Sequence, residues 1–184
     1  MELIRDCTCC ENHLLPGEEI EWKSRPGTFP LLTKDSKGSL LLRWILCAAI
    51  LVAITVLYAI VAQNKGVAFN YIVELILVIA AVYISITPIL DWKKLQKKTC
   101  YYVTNKRIIL MSGSNLYALN RAGINMKWVP ADDDSVHILF GACQNKPSGT
   151  WRRYAIAPDP QDFAGFVFYG VQVEKDRLKE LLSV

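Results

Sequence analysis

The N-terminal tail contains a cluster of side chains with metal-ligand chemistry. Three thiols and an imidazole, Cys7, Cys9, Cys10 and His13, lie within seven positions. Four such groups could complete a tetrahedral zinc site. Structural zinc sites normally take paired ligands, two to four residues apart, from each of two separated arms, and this spacing is absent here. A metal or redox site is therefore one hypothesis for this cluster. The hypothesis that we favour is a cytoplasmic tail with reduced cysteines.

Catalytic signatures are missing from the sequence. His13 and His137 are its two histidines, and neither stands in a Gly-x-Ser-x-Gly, phosphate-loop or His-Glu-x-x-His pattern. Asp132, Asp133 and Asp134 could bind calcium, but the ligand spacing of an EF-hand is absent, so we interpret them as a solvated turn. We predict a protein that is not an enzyme and that has no cofactor.

Basic residues form three short groups that could contact anionic lipid or an acidic partner. They are Lys93, Lys94, Lys97 and Lys98, then Lys106 and Arg107, then Arg152 and Arg153. A cation near an anionic membrane surface contributes about 1 kcal/mol. A solvated strand edge is the alternative interpretation of the last pair. Because the chain lacks a basic stripe with interleaved aromatic residues, we expect no nucleic-acid partner.

Two ionisable residues, Arg43 and Glu74, fall within the most apolar part of the chain. In helices they would lie roughly 25 Å apart in depth, so they do not form a pair. Long side chains near helix ends reach water at little cost, and this is the interpretation that we favour for both. A carboxylate inside a membrane is also a candidate functional group, so contact of Glu74 with a partner helix or an ion is a second hypothesis.

Two apolar segments explain how 52% hydrophobic residues coexist with 21% charged residues. Residues 40–62 and 71–90 each reach the length of about 20 residues that crosses hydrocarbon as a helix. The link between them, Gln63 to Asn70, is too short to hold a domain. The sequence therefore predicts an antiparallel transmembrane hairpin over residues 39–92. A long polar segment precedes it, which is atypical of a signal peptide.

Positively charged residues are more frequent on the two outer flanks of this hairpin than in the link between its helices. Lys34, Lys37 and Arg43 precede the first helix and four lysines follow the second, whereas Lys65 is alone in the link. By the positive-inside rule both termini are cytoplasmic. We predict a multi-pass protein of the cell inner membrane, with residues 1–38 as a cytoplasmic segment. Cysteines in such a reducing compartment are expected to form no disulfides.

Residues 98–184 change to an apolar period of two, interrupted by turns. Seven strands are predicted, over residues 99–103, 106–111, 116–119, 124–129, 136–142, 150–157 and 163–171. Leu178, Leu181 and Leu182 then recur at helical spacing among charged residues. We predict an α+β domain, a seven-stranded curled sheet or partly open barrel that a C-terminal helix caps.

Two stretches resemble bacterial pleckstrin-homology-like (PH-like) proteins in which two membrane helices are joined to the domain. Tyr101 to Leu110 is similar to that family's hairpin signature, Tyr-x-Val/Leu-Thr-Asn-x-Arg directly after the membrane exit. Leu15 to Glu19, with Trp22, Arg25 and Pro26, resembles the segment that precedes the first helix. The resemblance covers nearly the whole chain after about residue 14 and implies a PH-like fold. Eukaryotic relatives bind inositol phosphates through a long basic loop, which the turn at Lys106 does not match.

The function expected from these features is that of a membrane-tethered binding or scaffolding module. Its PH-like domain would recruit a protein or peptide partner. Anionic lipid is a second possible partner of the same domain. A fold alone does not name a ligand. The alternative is a small transport or channel subunit that uses the intramembrane Glu74.

Overall fold

The computed structural model describes residues 13–66, 68, 70–131, 134–158, 165–172 and 174–182. Two long helices, α1 (Lys34–Asn64) and α2 (Tyr71–Lys98), follow strand β1 (Ile20–Ser24). Six strands come after them: β2 (Thr99–Thr104), β3 (Arg107–Ser112), β4 (Asn115–Asn120), β5 (Met126–Pro130), β6 (Val136–Phe140) and β7 (Val167–Val171). Short helix α3 (Trp151–Tyr154) lies between β6 and β7, and α4 (Lys175–Leu182) follows β7.

Helices α1 and α2 have the length and composition of membrane spans. Their most apolar windows reach mean hydropathies of 2.9 and 2.4, and only 6% of each window is buried within the protein. Leu42, Ile45 and Ile72, for example, are 65%, 67% and 69% exposed. A soluble protein rarely leaves so large an apolar surface uncovered. The two predicted helices are therefore confirmed, and their surface suits an apolar medium.

Polar contacts join the two helices along one seam. The Trp44 Nε1 donates to the Ser85 carbonyl at 3.1 Å, near the end that faces the soluble domain. The Tyr58 hydroxyl accepts from the backbone N–H of Asn70 at 3.1 Å, near the other end. Trp44, Leu51 and Tyr58 are half-buried at intervals of seven residues, the spacing of left-handed helix packing. These contacts fix the register of the hairpin.

The described strands form two antiparallel sheets, ordered β1-β2-β3-β4 and β5-β6-β7. Alternate residues of β2 and β3 face opposite sides, because side chains in a strand have a period of two. Tyr101 and Leu110 face the core between the sheets, whereas Tyr102 and Ile109 face a smaller apolar cluster on the other side. This explains why β2 and β3 are buried along nearly their whole length.

Aromatic rings fill the core between the two sheets. Tyr101 stacks on Phe168 with centroids 4.4 Å apart, and Phe140 meets Phe168 edge-on at 4.9 Å. Leu178 and Leu182 of α4 are buried in the same cluster. The predicted C-terminal helix is therefore confirmed, and it packs on the core between the sheets.

One predicted strand is wrong, and one observed strand was not predicted. Residues 150–157 contain no strand: Trp151–Tyr154 form helix α3 and a turn follows, with Trp151, Ala155 and Ile156 buried at a spacing that suits a helical turn. Strand β1 comes from the segment predicted to lie outside the soluble domain, and it pairs antiparallel with β2 through a bulge between Ile20 and Trp22. The described residues therefore contain seven strands, as predicted, but β1 replaces the strand predicted at residues 150–157.

The cysteines also differ from expectation at one position. Cys100 is disulfide-bonded, whereas Cys47 and Cys143 are not in disulfides. The expectation that the chain forms no disulfides is wrong at Cys100.

We predict that Leu178→Asp destabilises the soluble domain, because it places a charge without a partner in a core position that is 0% exposed. The expected loss is several kcal/mol of unfolding free energy. Chemical denaturation of the full chain in detergent, followed by near-ultraviolet circular dichroism, measures it. Asp176→Ala, at an exposed position of α4, is the control. Equal stability of the two variants would show that the core does not need α4.

Candidate functional site

The turn between β2 and β3 binds the segment that precedes β1. The Glu18 carboxylate is fully buried, and Arg107 binds it through Nη2 at 2.6 Å and Nε at 2.9 Å. Thr104 Oγ1 donates to the same carboxylate at 2.7 Å, and so does the backbone N–H of Leu15 at 2.7 Å. A buried carboxylate with this many donors is stabilised as the charged form, and removal of one partner is costly.

Backbone contacts extend this arrangement, which we call the turn clasp (Leu15–Glu19 with Thr104–Arg107). Asn105 exchanges backbone and side-chain hydrogen bonds with Glu19, and its Nδ2 donates to the Gly17 carbonyl at 3.2 Å. The Lys106 ammonium donates to the Pro16 carbonyl at 2.7 Å. Gly17 has φ +68°, a conformation that favours glycine. The two stretches that carry the family resemblance are thus one structural contact.

The contacts of Arg107 lower the pKa of Glu18 from 4.5 to about 2. The hydrogen bonds from Arg107 are the main cause, while burial acts in the opposite direction. Because the pKa in the folded state lies below the unfolded value, this stabilisation is present above about pH 4.5. It is lost as the pH falls toward 2.

A cleft of about 950 Å³ lies beside the turn clasp, next to the connection between β4 and β5 and the end of α4. Three of its lining residues are cations: Lys106, Arg107 and Arg121. Arg107 is neutralised by Glu18, and Arg121 binds Glu21 at 2.5 Å as well as the Leu181 carbonyl. Lys106 is therefore the one lining cation without a carboxylate partner in the described part of the chain. Apolar side chains, among them Ile124 and Met126, complete the wall.

Strand β5 forms an open sheet edge beside this cleft. The Ala131 N–H donates to the Ser135 carbonyl, and the Gly141 N–H donates to the Asn125 carbonyl, both at 2.9 Å. In an antiparallel ladder, alternate residues bond to the partner strand, so the backbone groups of Met126 and Trp128 point away from β6. No hydrogen bond between described residues reaches them on that side. Pro130 has no N–H and ends the edge.

Arg152, predicted as a binding residue, is buried and holds the entry to α1. Its guanidinium donates to the carbonyls of Leu31 at 2.6 Å and Pro30 at 3.2 Å, and to Thr33 Oγ1 at 3.0 Å. It also lies over the ring of Phe29, 5.2 Å from the centroid. A side chain that is 9% exposed and fully engaged in this way is unsuited to bind lipid.

Helix α2 contacts the same junction. Trp92 Nε1 and Gln96 Nε2 both donate to the Phe29 carbonyl, at 3.0 and 2.9 Å. The segment between β1 and α1 is thus bound by α2 on one side and by Arg152 on the other. The orientation of the soluble domain relative to the helix pair follows from these bonds.

The remaining predicted site residues lie apart from the cleft. Lys93, Lys97, Lys98 and Arg153 are exposed, Lys94 is half-buried and His13 is exposed. Cys7, Cys9 and Cys10 lie outside the described residues, as do Asp132 and Asp133. Within the described ranges no three potential ligands gather into a metal site.

Glu74 faces α1, in contrast to the expectation that it reaches outward to water. Its Oε1 accepts from Thr55 Oγ1 at 2.8 Å, whereas Oε2 is buried and has no hydrogen-bond partner among the described residues. The Thr55 contact gives Glu74 a role in helix pairing. The alternative of a transport or channel subunit stays a prediction.

Sequence reasoning missed the two features that shape the candidate site. Glu18 was noticed as part of a motif, but its burial under Arg107 was not predicted. The available signal was that one motif contains a carboxylate and the other contains an arginine, which could have predicted an ion pair between them. The open edge of β5 had no sequence signal apart from Pro130, which is typical of an edge strand.

Comparison with known proteins found no match to a family model, a curated protein or a solved structure. The cleft and the open edge are therefore interpreted from their own geometry.

We predict that Glu18→Gln lowers the unfolding free energy at pH 7 by about 3 kcal/mol, because the variant lacks the charge that Arg107 binds. The difference from the parent should shrink as the pH falls from 4.5 toward 2, where Glu18 is protonated. Denaturant unfolding of the full chain at several pH values measures both effects. Glu19→Gln, on the exposed neighbour, is the control. A constant difference across this pH range would contradict the assigned role of the carboxylate.

Proposed function

We propose that this protein is a membrane-tethered binding module that recruits an extended segment of a protein partner at the cytoplasmic face of the cell inner membrane. The observation that carries the proposal is the open edge of β5 beside the cleft. An extended peptide can add to such an edge through main-chain hydrogen bonds, and a neighbouring pocket can select one of its side chains.

A peptide fits the site better than a phosphorylated headgroup does. A pocket that binds phosphate normally combines several free cations with backbone donors. In the cleft, Arg107 and Arg121 are already bound to carboxylates, which leaves Lys106 as the single lining cation without one in the described chain. Lys106 favours an acidic side chain or a terminal carboxylate of the peptide. Ile124 and Met126 favour an apolar side chain next to it.

A PH-like domain is the fold that we propose for this module. Four-stranded and three-stranded antiparallel sheets with a C-terminal helix over their shared core support it, together with the resemblance of the turn clasp motifs. The placement of β1 before the helices means that the domain is assembled from both sides of the hairpin.

The helix pair and its flanks support the proposed tethering and orientation. Seven basic residues flank the hairpin and one lies in its link, which favours insertion with both termini in the cytoplasm. Lys93, Lys97 and Lys98 are exposed where α2 leaves the membrane and would attract anionic lipid without selectivity. In a reducing cytoplasm the disulfide at Cys100 would be labile.

We predict this topology to be observable with reporter fusions. A reporter that is active only in the cytoplasm should work when fused at residue 184 and should be inactive within residues 63–70. The reverse pattern would overturn the cytoplasmic placement of the domain. The fusion at Lys65 serves as the internal control, because it reports on the opposite side of the membrane.

The binding site is tested by photo-crosslinking of the full chain in native membranes. A photoreactive residue at Lys127, exposed on β5, should form an adduct with a partner, whereas one at Lys23, exposed on β1, should not. Met126→Pro removes an outward N–H while it leaves the bonds to β6, so it should weaken the Lys127 adduct. A synthetic peptide with the crosslinked sequence should bind the parent in nanodiscs and bind Met126→Pro at least about tenfold less tightly, the effect of 1.4 kcal/mol. Equal adducts at both positions, or a peptide that binds both proteins equally, would refute the proposal.

A further inference from the structure

Two apolar grooves run along opposite faces of the contact between α1 and α2. The first, which we call the Arg43 groove, has a volume of about 470 Å³ and is lined by Arg43, Leu46, Ile50, Ile54, Ala80 and Ile84 among others. The second, the Trp44 groove, has a volume of about 520 Å³, and Trp44, Ala48 and Val82 are among its lining residues. Their lining differs in charge, because the Arg43 groove contains a cation and the Trp44 groove contains none.

Arg43 lies near the end of its groove that approaches the soluble domain. Its side chain is exposed, and no ion pair or hydrogen bond joins it to another described residue. One turn earlier in α1, Ser39 lines the same groove and closely approaches Gly149 of the soluble domain. A Cβ added at Gly149 would lie 2.9 Å from Ser39 Oγ. The soluble domain therefore meets α1 at this level, which places Arg43 where the membrane span begins.

The part of the Arg43 groove between Arg43 and Ile54 matches one leaflet of a bilayer in length. Arg43 and Ile54 are eleven residues apart in α1, which corresponds to about 16 Å along a helix. Half of the hydrocarbon core of a bilayer is about 15 Å thick. The groove thus runs from a cation at headgroup depth to an apolar end near the bilayer midplane.

We propose that the Arg43 groove binds one glycerophospholipid with an anionic headgroup, from the leaflet on the side of the soluble domain. The lipid phosphate binds Arg43, and one acyl chain lies along Leu46, Ile50 and Ile54. This site rests on the membrane insertion given under the proposed function, but it is separate from the peptide edge of β5. Charge complementarity selects the lipid, since a headgroup with a net negative charge supplies the anion that Arg43 lacks within the described chain, whereas choline offsets the same phosphate in phosphatidylcholine.

A second copy of the chain fits the same groove less well. A two-fold axis along the membrane normal would bring the Arg43 side chains of both copies to the same depth. Two cations near each other in an apolar environment repel strongly. An anionic lipid has the opposite charge and the right length for the groove.

The test uses the full chain in nanodiscs of phosphatidylcholine with a minor share of phosphatidylglycerol. After transfer to detergent, mass spectrometry measures how much of each lipid stays bound. The parent should retain phosphatidylglycerol in preference to phosphatidylcholine. Arg43→Gln should lower this retention about fivefold, as expected for the loss of one cation near an anionic headgroup, and Arg43→Lys should restore most of it.

Ala80→Leu and Ala48→Leu form a matched pair, because each adds the same apolar volume to one groove. Ala80→Leu should lower the retention of phosphatidylglycerol, whereas Ala48→Leu, in the Trp44 groove, should leave it unchanged. Equal effects of the two variants, or equal retention of both lipids by the parent, would overturn the proposal. A dimer that Ala80→Leu dissociates would overturn it too, in favour of a second copy.

Failure of the lipid site is distinguishable from failure of the proposed function. A parent chain that does not enter the nanodiscs would contradict membrane insertion itself. A chain that enters them and retains no phosphatidylglycerol contradicts the Arg43 site alone. The reporter fusions check that Arg43→Gln keeps its topology, and Ala80→Leu tests the groove without any change of charge.

Discussion

The buried contact between Glu18 and Arg107 joins two parts of the chain that the whole helix pair separates. Glu18 precedes β1 and α1, whereas Arg107 follows α2 and β2. A carboxylate that is fully buried needs its cation and its other donors in place. The pairing of β1 with β2, and with it the edge of the four-stranded sheet, lies directly next to this contact. The cleft shares Arg107 with it, so the candidate binding surface also depends on the same pair.

Elements with strong local patterns were predictable, and elements that depend on distant partners were not. The two long helices follow from uninterrupted apolar runs, and β2 and β3 follow from a period of two around a turn. Strand β1 has only five residues, of which Trp22 alone is fully buried, and its partner β2 lies beyond both helices. In residues 150–157, tertiary packing of Trp151 against the outer face of the second sheet stabilises a helical turn that the local pattern concealed.

The basic residues show why residue type alone did not identify the site. Lys106, Arg107 and Arg152 were grouped with the lysines after α2 because all carry positive charge. In the structure Arg107 neutralises a buried carboxylate and Arg152 binds backbone carbonyls of residues more than a hundred positions away. Lys97 and Lys98, by contrast, are exposed as a flank of a membrane helix should be. Burial depends on tertiary contacts, which a single sequence does not contain.

The position of β1 before the helices has a consequence for biosynthesis. During translation β1 is made first, and its partner β2 emerges only after residues 25–98, which include both long apolar helices. If one helix failed to insert, β1 and β2 would lie on opposite sides of the bilayer and their pairing would be impossible. On the proposed topology, the completed sheet therefore requires that the chain has crossed the membrane an even number of times. If α1 and α2 insert as we propose, completion of the four-stranded sheet is in this way coupled to correct insertion.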